Sequence, residues 1–327
     1  MKAVCFKSFG TPKEVLEVGE WQKPTPNHGE VLVRVHTSGV NPSDTKKRAG
    51  ANPALLEAGA VIPHSDGAGV IEAVGPGVPK TRIGERVWLY NAQYGRQEGT
   101  CAEYVSVASH TAVWMPDHVS FETGAMMGIP AMTAHRCVLA DGDVAGKIIL
   151  VTGGAGRVGY YAIQWAKHFG ATVIATASSA KSKQACQDAG ADLVVGHPSE
   201  SVNKEILAFT SGRKINRVVE GDFGANLLPI LDIIRTSGVI ATYSSMTDMH
   251  PSIPFVRMMF MNLTIRLVLV YELEEEDKNE AKADITELLM HNKLDHRVAA
   301  TFPIEEAAKA HEMIEEGKVL GSVIIKI

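Results

Sequence analysis

Three glycines at the first, third and sixth places of one short segment have the type and spacing that most directly suggest chemistry. The segment reads Gly154-Ala155-Gly156-Arg157-Val158-Gly159. An apolar run, Ile148 to Thr152, precedes it. After it, Val158, Tyr161, Ala162, Trp165, Ala166 and Phe169 recur at helical spacing. In such a strand–turn–helix unit the first glycine permits the tight turn, and the second lets backbone approach a pyrophosphate. The third lets the helix pack closely on the strand. The helix N-terminus that follows presents free N–H groups and partial positive charge to the phosphates. An ordinary βαβ turn is the bland alternative; the flanking pattern favours dinucleotide binding.

The choice of dinucleotide depends on the end of the next strand. A preference for NAD is usually marked by an Asp or Glu about 20 residues past the glycines, accepting from the ribose 2′-OH. Here that stretch reads Ala175-Thr176-Ala177-Ser178-Ser179-Ala180-Lys181, with no carboxylate. Ser178 and Lys181 would donate to a 2′-phosphate, which favours NADPH. The same serines also suit the cap of a following helix.

Stepping outward, the segments around these residues define an α/β protein. Up to about Met115, short apolar runs alternate with Gly, Pro, Asn and Asp clusters, predicting a compact antiparallel barrel or sandwich. Phe121 to Leu139 reads as helical, with a break or kink at Pro130. From Lys147 onward strand-like and helical segments alternate, the signature of a doubly wound parallel sheet. Leu263 to Val270 reads as an apolar strand, followed by a charged helix from Glu274 to His291. The final strand, Gly321 to Ile327, could rejoin the N-terminal β region and make that domain discontinuous.

The whole-chain properties exclude several classes. At 327 residues two domains are expected, from a prior of roughly 150 residues each. A net charge of -5 argues against a nucleic-acid binder. The four cysteines, Cys5, Cys101, Cys137 and Cys186, form neither a disulfide framework nor a spaced zinc motif. The Met258–Val270 stretch is too short to span a bilayer and reads as a buried helix-to-strand segment. Met1 to Phe6 leads directly into strand-like alternation rather than a signal peptide, so the cytoplasm is the expected location.

With Gly39-Val40-Asn41-Pro42-Ser43-Asp44, His64-Ser65-Asp66-Gly67-Ala68-Gly69, Gly128-Ile129-Pro130-Ala131-Met132-Thr133-Ala134 and Ala310-His311-Glu312 added to the glycine turn, the chain resembles the medium-chain dehydrogenase/reductase superfamily over its whole length. Within that superfamily it is most similar to the zinc-free quinone oxidoreductase, or zeta-crystallin-like, branch. The resemblance implies a Rossmann domain over residues 122–295. A GroES-like β domain, a barrel built from residues 1–121 and 296–327, would complete the chain. Asn41 and Ser65 stand at the positions of a catalytic zinc's Cys and His ligands, so no metal is expected.

Carried over residue by residue, the resemblance implies cofactor contacts at Gly154, Ala155, Gly156, Arg157, Val158 and Gly159. Further contacts are implied at Ser178, Lys181, His197 and Asn226, and in the Tyr243-Ser244-Ser245 turn. Backbone of Leu267, Val268 and Leu269 would hold the nicotinamide carboxamide, and Thr133 would place a hydroxyl near the ring. His197 and Asn226 also fit a plain loop histidine and a helix cap. Arg157 replaces a small residue of the family, and Lys46 stands where the family often has a tyrosine. Glu220 and Asp222 leave two carboxylates after the fourth Rossmann strand.

NADPH-dependent reduction of a quinone follows as the expected activity. Asn41 would donate to the acceptor carbonyl, Asp44 would position it, and Lys46 would supply charge for a developing oxyanion. Tyr90 and Asn91 would line the pocket. Two alternatives remain open: an NADPH-dependent enone or 2-alkenal reductase, and a non-catalytic NADPH- and RNA-binding protein. The apolar Leu263–Val270 strand would be an aggregation-prone edge if exposed, so a homodimer through it is expected.

Overall fold

A computed structural model of the chain describes residues 1–198, 201–317 and 319–327. Two compact units emerge, Met1–Ile129 with Lys282–Ile327, and Pro130–Ala281. These limits differ from the 121 and 295 that the resemblance implies, and the Glu275–Met290 helix is the reason at the second limit. Its early turns are tied to the second unit, where Arg136 pairs with Asp277 and Glu280 at 2.7 Å each. Its later turns belong to the first unit, where Lys282 lies over the Tyr90 ring and His118 Nε2 is 3.1 Å from the Leu289 carbonyl.

The first unit contains β1 (Lys2–Cys5), β2 (Glu17–Glu20), β3 (Glu30–Val40), β4 (Asp66–Val74), β5 (Arg86–Leu89), β6 (Tyr104–Ala108) and β7 (Ala112–Trp114). The second contains β8 (Ile148–Val151), β9 (Thr172–Ala177), β10 (Leu193–Gly196), β11 (Ile215–Glu220), β12 (Ile234–Thr242) and β13 (Thr264–Leu267). The chain then returns to the first unit with β14 (Val298–Pro303) and β15 (Ser322–Lys326).

In the first unit the seven-stranded sheet runs β14-β15-β3-β4-β5-β7, with β6 also on β3. β3 is its spine, because Val31, Val33 and Val35 share one face and join Ile71, Val87, Leu89 and Val105 in one core. β15 pairs antiparallel with β3, Val323 opposite Val40, so the last strand does rejoin the N-terminal β region. The sheet is mixed rather than wholly antiparallel: β14 and β15 are parallel, as the Ala307–Glu315 helix between them requires.

The second unit is a parallel six-stranded sheet in the order β10-β9-β8-β11-β12-β13. Counted within this unit that is 3-2-1-4-5-6, the doubly wound Rossmann order, with its switch point between β8 and β11. The helical stretch over Phe121–Leu139 is broken around Pro130, as its sequence predicts. Phe121–Gly124 and Thr133–Leu139 are α-helical, and Met127–Met132 between them is a π-helical turn containing Pro130. Gly128, at ψ −105°, is the non-helical residue that admits the break.

The apolar segment after the Phe255–Phe260 helix also departs from expectation. Met258, Val268 and Val270 are buried, but Phe260 and Leu267 are 79% and 78% exposed, and β13 spans only Thr264–Leu267. Phe260 ends the helix before the strand, and in β13, an edge strand, Ile265 and Arg266 are half-buried while Thr264 and Leu267 are exposed.

Candidate active site

Each glycine of the turn answers a different steric demand. At Gly154 a Cβ would lie 2.9 Å from Ala175 Cβ and Ile163 Cδ1, inside the packing of β9 and the following helix. At Gly159 it would lie 2.5 Å from the Gly153 carbonyl oxygen, so only glycine lets the Arg157–His168 helix begin this close to the turn. Gly156 is exposed and caps that helix. Its hypothetical Cβ would meet only the Gly153 oxygen, at 3.2 Å, leaving an open backbone face suited to a phosphate. Tyr161, Ala162, Trp165 and Ala166 are buried, anchoring the helix behind the turn, and Trp165 packs edge-on against His135 and donates to the Ala131 carbonyl at 3.3 Å.

Beside the turn a cavity of about 180 Å³ opens at the C-terminal strand ends, lined by Thr152, Thr176, His197, Asn203, Asn226 and Ile230 among others. Pockets for whole drug-sized ligands run ~300–1,000 Å³, so this one suits a single ring of a dinucleotide. Ser178, Ser179, Lys181 and His197 are exposed around the ends of β9 and β10. Ser179 caps the Ala180–Asp188 helix through the Ser182 N–H at 3.1 Å, which leaves Ser178 and Lys181 as the exposed donors beside it. The sequence reading missed Lys183. Its Nζ lies 3.4 Å from where a Cβ on Gly196 would stand, so it overhangs the same strand end.

At the end of β11, Glu220 is fully buried and accepts from Asn226 Nδ2 at 2.8 Å. Burial raises its pKa, which the Asn226 bond only partly offsets. Asn226 therefore holds a carboxyl as well as lining the cavity. Asp222 ties down the loop after β12, accepting from the Met246 and Thr247 N–H groups at 2.9 and 3.1 Å. In that loop the Ser244 carbonyl accepts from Phe223 N–H at 3.0 Å, and Ser245 Oγ accepts from Gly224 N–H at 2.9 Å. Tyr243 is half-buried with its hydroxyl against Gly221. Burial pushes the Tyr243 phenol pKa up, and Arg157, half-buried at the first helical position, opposes that rise only weakly. Thr133 is buried at the start of its helix. Leu267 and Leu269 turn outward, and Val268 donates its N–H to the Thr242 carbonyl at 2.8 Å.

The first unit brings its candidates together around Asn41. This residue caps the Pro42–Arg48 helix, with proline at the first helical position and Asp44 accepting the Asn41 N–H at 2.9 Å. Asn41 Nδ2 donates to Asp66 at 2.8 Å, so one of the two amide hydrogens expected to serve an acceptor is committed inside the protein. Asp66 is fully buried, also accepts from Ile129 N–H at 2.9 Å, and abuts Gly128, where a Cβ would lie 2.1 Å from its Oδ1. Burial, with the Asp44 charge adding to it, pushes the Asp66 pKa well above the usual range. Gly128 and Ile129 thus belong to this network by giving space and a donor.

Two expectations need correction here. Lys46 is exposed, and the lysine facing the polar cluster is Lys47, half-buried. Lys47 Nζ donates to Gln93 Oε1 at 2.9 Å, to the Gln93 carbonyl at 3.2 Å and to Ser65 Oγ at 3.3 Å. The signal was available: Asn41, Asp44 and Lys47 are three apart and share a helix face, whereas Lys46 does not. Tyr90 is 1% exposed and packs on Trp88 at 5.8 Å, so it is core and does not line a pocket. Asn91 is half-buried in the left-handed region, φ 54°, and shapes the turn after β5.

These donors do not fit a zinc ion. Asn41 and Ser65 offer an amide and a hydroxyl, and the Lys47 ammonium stands beside Ser65. His64 has both ring nitrogens engaged, Nδ1 with Ser38 Oγ and Nε2 with His311 Nε2, each at 2.8 Å. Cys101 is fully buried, with its thiol pKa pushed up by that burial. Among the described residues no group of three or more His, Cys, Asp or Glu could hold a metal ion.

A Rossmann unit with a phosphate-ready glycine turn and a β unit with a polar cluster, carried on one chain, define a dinucleotide-dependent oxidoreductase. Residues 27–117 match the alcohol dehydrogenase GroES-like domain, and residues 158–288 match the zinc-binding dehydrogenase family. The human quinone oxidoreductase is 30% identical over 320 residues, spanning 97% of this chain and 94% of that protein. A mycobacterial quinone oxidoreductase structure is 27% identical with a TM-score of 0.88, and a mycobacterial protein complexed with NADPH gives the same values; each covers 100% of both chains. The chain belongs to the medium-chain dehydrogenase/reductase superfamily, in its quinone oxidoreductase branch. The family description carries the word zinc, and the donor set around Asn41 departs from it.

Proposed function

We propose that the protein uses NADPH to reduce a quinone without zinc. The observation that carries the cofactor choice is the exposed set Ser178, Lys181, Lys183 and His197 around the ends of β9 and β10, where an NAD-selecting carboxylate would otherwise stand. The NADPH-complexed mycobacterial relative supports it, and the names of the human and mycobacterial relatives support the quinone. When bound, the nicotinamide supplies the hydride.

The chain's own residues then have defined tasks. Backbone of Ala155, Gly156, Arg157 and Val158 holds the pyrophosphate, with Gly154 and Gly159 giving it room and the Arg157 guanidinium adding charge. Ser178, Lys181, Lys183 and His197 hold the 2′-phosphate. Asn226, Tyr243, Ser244 and Ser245 border the bound dinucleotide, backbone of Leu267, Val268 and Leu269 fixes the carboxamide, and Thr133 approaches the ring. Asn41, held by Asp66, keeps one amide hydrogen for the acceptor, and Asp44 fixes the start of its helix. A quinone is already electrophilic and its product gains aromaticity, so orientation and a few hydrogen bonds suffice.

The test is steady-state turnover with quinones and 2-alkenals, each with NADPH and NADH. NADPH oxidation with quinones is expected, and Lys181→Ala should raise the KM for NADPH about tenfold while leaving NADH unchanged, since a hydrogen bond to a charged group contributes about 1.5–3 kcal/mol. Equal loss for both cofactors would overturn the 2′-phosphate assignment. Enal turnover far above quinone turnover would move the substrate class.

The homodimer belongs to this reading. β13 is the edge of its sheet, and Leu267, Leu269, Phe255 and Phe260 stand exposed on and beside it. A second copy pairing along β13 would cover them; a sedimentation mass of 35.1 kDa at micromolar concentration would overturn it. No helix among the described residues is long and apolar enough to cross a membrane, and all four cysteines are free and buried, in keeping with a reducing cytoplasm.

A further inference from the structure

Lys47 is the least ordinary charged group of the first unit. Its ammonium is half-buried and aimed by hydrogen bonds to Gln93 Oε1, the Gln93 carbonyl and Ser65 Oγ. It shares a helix face with Asn41 and Asp44, and Asn41 is bonded to the buried Asp66. A surface lysine samples many rotamers; this one is held by three hydrogen bonds in a polar cluster.

We propose that the Lys47 ammonium is the acid that protonates the reduced acceptor. The inference rests on the quinone-reductase reading above. Hydride addition turns a quinone into a hydroquinone monoanion. The Lys47 N–H bond then breaks as an O–H bond forms on that oxygen, leaving a neutral amine that regains its proton from solvent. The sum is NADPH, one proton and a quinone giving NADP⁺ and a hydroquinone.

The electrostatic surroundings suit that role. Burial lowers the Lys47 pKa; the Asp44 charge on its own helix, and Asp66 on β4 whenever it is ionised, oppose the drop without cancelling it. His64, on the segment before β4, is held neutral by burial, by His311 and by Lys47 itself, so it adds no competing positive charge. An ammonium at its ordinary pKa near 10.4 is a weak acid at neutral pH, and lowering it strengthens it. The plain alternative is a lysine that merely ties the Gln93 loop to the helix.

The discriminating experiment compares wild type, Lys47→Met and Lys47→Cys with saturating NADPH and 1,4-naphthoquinone, reading kcat against pH and NADPH affinity by fluorescence titration. Lys47→Met should lower kcat ~100-fold, as expected for a lost general acid. It should abolish the alkaline fall in kcat and leave NADPH affinity unchanged. Because the four native cysteines are buried, Lys47→Cys can be alkylated selectively with 2-bromoethylamine. That product restores an amine, so kcat should return with its alkaline limb at lower pH, a thioether making the amine less basic. A loop-tying lysine would give no such shift. Retention of wild-type kcat and pH profile in Lys47→Met, or rescue with an unshifted limb, overturns the proposal. Should the methionine variant fail to fold, the cysteine variant before and after alkylation decides alone. Wild type inert toward every quinone would overturn the parent reading, and this inference with it, and is recognised before any variant is made.

Discussion

Two buried clusters, one in each unit, treat charge in opposite ways. In the Rossmann unit, buried Arg217 pairs with Asp141 at 3.2 Å, and Asp141 also takes Arg266 at 2.6 Å. Burial pushes the Asp141 carboxyl up, but the two guanidinium groups together hold it below its usual range. Charge there is fixed by charge. In the β unit, Asp66, His64 and His311 are fully buried in hydrogen bonds to an amide, a hydroxyl and each other, and burial favours their neutral forms. The Asp141 cluster is a scaffold whose ionisation hardly changes near neutral pH. The second leaves groups that can exchange protons.

Three measurements separate the two arrangements. Asp141→Ala should cost about 4 kcal/mol, because it strands buried Arg217 without its partner, and the loss should appear in amide exchange of β8, β11 and β12 alone. Equal loss of protection in β3 and β4 would contradict separate charge systems. Gly159→Ala should cost about 2 kcal/mol by forcing a methyl against the Gly153 carbonyl, and should abolish NADPH binding. A variant that binds NADPH normally would show that the turn is not the phosphate site.

The third is a pH effect in the β unit. His64 and His311 have folded pKa values below their unfolded ones, that of His311 at about 3, so their stabilisation is present above pH ~6.5 and lost as pH falls below it. Asp66 works the other way: its raised pKa means stability lost as pH rises through the folded value. In an Asp66→Asn background, which removes the opposing titration, lowering the pH from 6.5 to 5.5 should cost about 1 kcal/mol per buried histidine. Thermal melts that stay flat over that range would show that the histidines are already solvated.

Much of the fold was legible because it is written in short-range pattern. The 3.6-residue spacing after Gly159 and the alternation of strand-like and helical segments from Lys147 onward each describe one element and its neighbour. Pro130 announced the break between Gly124 and Thr133 for the same local reason. The parallel pairing of β14 and β15, Tyr90 as a core residue, and the exposure of Phe260 and Leu267 were not legible. Each depends on what a distant segment covers or leaves bare.

The polar cluster of the β unit divides along the same line. Residue types and spacing by themselves determined a glycine turn for a phosphate, and hydroxyls and a lysine in place of an NAD-selecting carboxylate; the family resemblance set Asn41 and Ser65 where zinc ligands would stand. Tertiary structure alone decided that Lys47 rather than Lys46 meets Ser65 and Gln93, and that Asp66 lies against Gly128 with Asn41 as its donor. A helix turn carries its phase in sequence, but only packing sets which face is turned inward and which distant oxygen it meets.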